Sequence, residues 1–275
     1  MKKYILIVFT AILALFAVSC TKTSEGVTDI INFFQMSGPR AMYLGVGEEF
    51  IDPGYVELED GGTVVTTITD MYGEEVEAVS TEEPGFYTIT YYTVNKQGVD
   101  LTMKRMVYVY DATVTETLGK FVVDPDASFS YSTSNMSFTE CVAYFQAIPE
   151  GSTTPKYQAY YAYSDPAGIE VVFEQVVGNI YTCTDLLGGW YRCVQGRGYY
   201  YAATLDPYYL NYWDMTGYVT LNADMTLTHM SSYIECWGDG LDGIFNSSYD
   251  PESKRLVYDW LYGGSVASHI EMVQQ

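Results

Sequence analysis

The chain has 275 residues, with 35 Asp and Glu against 13 Lys and Arg, a formal net charge of -22 at pH 7. Hydrophobic residues make up 48% and aromatics 16%, including 28 tyrosines, so the chain is too apolar to stay disordered and long enough for one or two domains. This acid excess excludes a nucleic-acid partner, whose backbone needs clustered Lys and Arg to displace counterions.

The chain opens with a basic pair, Lys2 and Lys3, an apolar run from Tyr4 to Phe16, and small residues Ala17, Val18 and Ser19 leading into Cys20. This reads as a secretory signal, because the run is shorter than the ~20 apolar residues of a membrane-spanning helix. It resembles a bacterial lipoprotein signal, although Ala17 stands where the commonest form has Leu. The resemblance implies a signal peptide over 1–19, lipidation of Cys20 and a tether over 20–29. Several acyl chains, at ~0.8 kcal/mol per buried CH₂, make a stable anchor.

From residue 30 onward the hydrophobic pattern is two-fold. Gly85–Val94 and Met103–Tyr110 alternate bulky and polar residues and are rich in Val, Ile, Thr and Tyr. Strands are expected near 31–36, 40–45, 49–51, 55–59, 64–69, 76–79, 86–94 and 101–110. No segment shows a capped helical pattern, so at most short helical turns are expected. The spacing of turn signals suits an immunoglobulin-like sandwich over 30–110. Residues 111–119 read as a connector. Composition then shifts: all four tryptophans and 19 of the 28 tyrosines follow Asp111. The segment 120–275 is expected to be a larger antiparallel β-sandwich or barrel, making the whole chain all-β.

Two groups of motifs carry a resemblance. Gly45-Val-Gly-Glu-Glu-Phe-Ile-Asp-Pro-Gly-Tyr, Pro84-Gly-Phe-Tyr-Thr-Ile-Thr-Tyr, Asn95-Lys-Gln-Gly and Arg105-Met-Val-Tyr-Val-Tyr-Asp resemble the bacterial immunoglobulin-like domain also found on a pesticidal crystal protein. Asp52-Pro53-Gly54 is a tight turn by its residue types. Tyr181-Thr-Cys-Thr-Asp-Leu-Leu-Gly-Gly-Trp-Tyr and Gly196-Arg-Gly-Tyr resemble the C-terminal domain of Bacteroidetes lipoproteins, similar to accessory glycan-binding lipoproteins of starch-utilisation-like systems. The resemblance implies a spacer role for the first domain and places the chain on the outer membrane, facing the cell surface in preference to the periplasm. Only one acid, Glu25, follows Cys20 closely, which departs from the usual surface-export pattern.

Beyond Cys20 lie Cys141, Cys183, Cys193 and Cys236, for which three disulfide pairings are open, as is a set of buried thiols. Cys183 and Cys193 flank the turn Leu187-Gly188-Gly189 and are placed to face each other across a hairpin. Aromatic residues are the main resource for binding, since sugars lay C–H faces on rings and offer hydroxyls to nearby polar groups. Tyr208, Tyr209, Tyr212, Trp213 and Asp214, around an Asp-Pro turn, are the first candidates, with Trp237 in a Gly-rich acidic loop. Trp190 and Trp260 read as core. Asp239, Asp242 and Asn246 form a weak calcium candidate whose spacing departs from the EF-hand loop.

His229 and His269 stand apart, no G-x-S-x-G or phosphate-binding loop occurs, and no cofactor is expected. The sequence therefore points to a non-catalytic, lipid-anchored protein that holds a polysaccharide or oligosaccharide, neutral by the chain's charge, for an outer-membrane transporter complex. The alternatives are a docking subunit that binds no sugar and a glycoside hydrolase.

Overall fold

The computed structural model describes residues 35–56, 63–95, 98–146, 167–190, 193–194, 215–234 and 238–275. The chain divides into two compact units. The small one comprises the residues up to Gly38 with Gly54–Val65 and Tyr92–Met103. The large one comprises Pro39–Pro53, Thr66–Tyr91 and Lys104–Gln275.

Seven strands come first: β1 (Gln35–Met36), β2 (Ala41–Gly45), β3 (Tyr55–Val56), β4 (Val65–Thr69), β5 (Glu75–Val76), β6 (Gly85–Val94) and β7 (Asp100–Tyr110). In the small unit β1 pairs antiparallel with β3, and Thr93 Oγ1 donates to Thr63 O at 3.3 Å. A five-stranded sheet runs in the order β2-β7-β6-β4-β5, with β2 parallel to β7. Strand β6 buries Ile89 and Tyr91 in alternation, as its two-fold pattern requires. The expected strand at 49–51 is absent and that at 76–79 shrinks to Glu75–Val76.

Asp52 has a further task in this part of the large unit. Its carboxylate pairs with Arg105, whose side chain is fully buried, and accepts the Tyr91 hydroxyl at 2.7 Å. Arg105 also donates Nε to Pro39 O at 3.1 Å and lies 5.7 Å from the Tyr91 ring centre. A buried guanidinium is tolerable only with such partners, because an unpaired buried charge costs several kcal/mol.

The remaining strands are β8 (Lys120–Val123), β9 (Phe129–Ser130), β10 (Met136–Ser137), β11 (Glu170–Val177), β12 (Ile180–Cys183), β13 (Gly217–Leu221), β14 (Leu227–Ser232), β15 (Gly243–Asp250), β16 (Arg255–Tyr262) and β17 (Ser265–Gln274). They form one ten-stranded sheet in the order β10-β9-β17-β8-β11-β12-β13-β14, extended by β16 on β17 and β15 on β16. The recorded pairings in it are antiparallel, and the fold class is all-β. Phe121, Phe173, Leu187, Tyr258, Trp260 and Ile270 belong to its core. A further buried cluster joins Phe86, Tyr108, Ile180 and Met230 within the large unit.

Among the described residues the structure adds to this all-β reading a nine-residue helix, α1 (Phe138–Gln146). Its start is a capping box. Ser137 Oγ accepts Glu140 N–H at 3.1 Å, and Glu140 Oε2 accepts Ser137 N–H at 2.8 Å. Phe138, Cys141 and Val142 are buried at the spacing of one helix face.

Candidate functional site

The outer face of the C-terminal sheet carries a transverse row of four residues. In the antiparallel register Phe245 on β15 pairs with Asp259 on β16, Asp259 with His269 on β17, and His269 with Phe129 on β9. Register partners share a face, so the four side chains stand on one side of the sheet. Their sequence neighbours Tyr258, Trp260 and Ile270 are buried on the other side, in the core.

Hydrogen bonds tie the row together. His269 Nδ1 donates to Asp259 Oδ1 at 2.7 Å, and its Nε2 lies 3.3 Å from Glu271 Oε1. Asn246 Nδ2 donates to Asp259 Oδ2 at 2.7 Å. That reach depends on a bulge between Phe245 and Ser248, where Asn246 takes φ +46°. Asn tolerates this left-handed conformation better than most residues. Arg255 pairs with Glu271 and lies 3.6 Å from Asp124. Asp259 is thereby kept at 4% exposure with both its oxygens engaged.

Aromatic rings frame this polar centre. Phe129 stacks on the His269 ring at 4.8 Å and 24°, and Tyr131 meets Phe129 edge-on at 5.2 Å. Tyr131 remains 40% exposed, and its phenol is raised first by partial burial and then by the Asp259 charge. At the other end Phe245 is 47% exposed, with its ring over Gly243, where a β-carbon would meet it at 3.3 Å. The arrangement offers ring faces at both ends and hydrogen-bonding groups in the middle.

Sequence reasoning passed over this site because it treated His269 as isolated. The available signal was the hairpin turn Gly263-Gly264, which brings β16 and β17 together; the pairing of Asp259 with His269 needs the bulge between Trp260 and Leu261 as well. Cys20, Tyr208, Tyr209, Tyr212, Trp213, Asp214 and Trp237 lie outside the described residues, as does Cys236. Of the calcium candidates, Asp242 Oδ2 accepts Gly264 N–H at 2.7 Å, Asn246 is committed to Asp259, and Asp239 bridges Ile234 through its backbone. Among the described residues no three His, Cys, Asp or Glu side chains are grouped to hold a metal ion.

Trp260 is buried in the core, and Trp190 packs against it edge-on at 5.5 Å. The expected hairpin between Cys183 and Cys193 does not form. Asp185 accepts the N–H groups of Leu187 and Gly189, both at 3.0 Å, and Cys193 N–H bonds Gly189 O at 3.0 Å, a helix-type bond that a hairpin strand would not make. Cys141 and Cys183 are buried free thiols, and burial pushes the Cys183 thiol far up.

Residues 34–109 match a family model described as a bacterial surface protein, Ig-like domain, and residues 141–274 match one described as a C-terminal domain. The crystal structure of the lipoprotein BT2262 from Bacteroides thetaiotaomicron is similar at 26% identity, covering 88% of this chain and 98% of that one, with a TM-score of 0.40. No curated protein matches. The chain thus carries a segment similar to bacterial surface Ig-like domains, followed by a β-rich segment similar to a second family's C-terminal domain.

Proposed function

We propose that this protein is a lipid-anchored bacterial surface protein that binds a polysaccharide without cleaving it. The row Phe245–Asp259–His269–Phe129, with Tyr131 beside it, carries this reading. Exposed rings suit the C–H faces of sugars, and the Asn, His and Glu groups between them, held by the buried Asp259, suit hydroxyls. Arg255 is committed to Glu271 and Asp124, which favours neutral glycans over anionic ones. The surface Ig-like match and the Cys20 motif support anchoring at the outer membrane, facing outward, where the protein would hold glycan for an uptake complex.

Affinity electrophoresis of the detergent-solubilised full chain tests this. Neutral polysaccharides in the gel should retard the protein, and Tyr131→Ala should relieve the retardation while the melting temperature holds. A folded protein that runs unretarded through every neutral and acidic polymer would leave the docking-subunit reading in its place. Release of reducing ends would establish the hydrolase reading instead.

A further inference from the structure

We infer that the site takes an extended run of several neutral sugar units from within a polymer, lying across the strands, and does not take a single sugar or a chain end. The inference rests on the glycan-binding reading and names the form of ligand the same face accepts.

The argument is geometric. Phe245 and Phe129 stand on β15 and β9, separated by two intervening strands, β16 and β17. Three interstrand steps span about 14 Å. That exceeds one pyranose ring, so a single sugar touches one aromatic end or the polar centre but not all three.

The polar centre lies between the rings. Asp259, buried beneath, holds His269 and Asn246 in place there, and the exposed Asn246 amide and partly exposed Glu271 carboxylate are the groups a hydroxyl can reach. The ends are built as open surfaces. Phe245 lies over a glycine and Tyr131 projects into solvent, so neither end is a wall that would stop a chain.

Charge narrows the polymer. The face holds the carboxylates Asp124, Asp259 and Glu271, and its guanidinium, Arg255, is already shared between two of them. A uronate or sulfate brought to this centre would meet like charge, with Arg255 already taken by Glu271 and Asp124, whereas hydroxyls meet acceptors. Like-charge contact of this kind is how a site rejects a wrong partner.

The test is calorimetric titration of the detergent-solubilised full chain with glucan, xylan and mannan fragments, each from the monosaccharide to the hexasaccharide and the soluble polymer. Affinity should rise at least tenfold from monosaccharide to hexasaccharide, with the polymer as tight per site as the hexasaccharide. Phe245→Ala and Tyr131→Ala should each flatten this length dependence, and Phe245→Leu should retain part of it. A monosaccharide that binds as tightly as its hexasaccharide would overturn the inference and leave glycan binding standing. So would a length dependence that survives loss of both rings. Absence of heat with every fragment, in a protein that melts cooperatively, would overturn the glycan reading itself.

Discussion

The His229 ring is enclosed on β14, with Nε2 3.0 Å from Ser232 Oγ, and desolvation pulls its pKa from 6.5 down to about 4. The unfolded chain binds a proton on this ring below about pH 6.5, and the folded chain only near pH 4. The contribution to stability is therefore whole above that window and is lost as pH falls through it, about 3 kcal/mol in all. Melting temperatures of the parent and His229→Gln, measured from pH 7 to pH 4, should converge as the pH drops, since the carboxylates are common to both. Parallel curves would show that the ring titrates alike in both states. Asp52 shows how far a single residue can be read in advance. Its turn was legible from the Pro and Gly that follow it. Its pairing with Arg105, 53 positions along the chain, was not, because that depends on which strands become neighbours.

At the scale of elements, alternation located the long strands β6 and β7 to within a residue, since period-two patterns need no tertiary information. The helix α1 was missed: its nine residues are too few for periodicity to stand out among strands, although Ser137 and Glu140 three apart carried the capping signal. The hairpin β16–β17 was only half legible. Tyr262 pairs with Ser265 around Gly263-Gly264, and a plain two-residue turn would set Asp259 against Ser268. A bulge between Trp260 and Leu261 shifts the pairing by one, so that Trp260 meets Ser268 in the core and Asp259 meets His269 outside.

The turn between β11 and β12 yields a sharper test. Gly178 has φ +51°, and a β-carbon there would overlap the Tyr110 ring. Gly263 has φ +62° with open space around it. Gly263→Ala should cost only the backbone strain, about 1 kcal/mol, whereas Gly178→Ala adds overpacking for a total of about 2–4 kcal/mol. Denaturant midpoints of the two variants check this, and equal losses would mean that Tyr110 moves aside freely.

For the molecule as a whole, the net charge of -22 sets up self-repulsion in the folded state. The Debye length falls from about 30 Å at 0.01 M salt to about 10 Å at 0.1 M. The melting temperature at neutral pH should therefore rise by a few degrees between those concentrations. A flat or falling response would mean that the local pairs, such as Arg255 with Glu271, outweigh the net repulsion.

Composition and alternation by themselves determined the all-β class and the acidic character, because these follow from residue types and their nearest neighbours along the chain. Only the tertiary structure decided the row Phe245–Asp259–His269–Phe129. Its members come from four strands and 141 positions of sequence, and one bulge chooses between this face and the core. Side-chain direction in a strand reverses with every residue, so a one-residue shift that leaves the sequence pattern unchanged decides which groups meet.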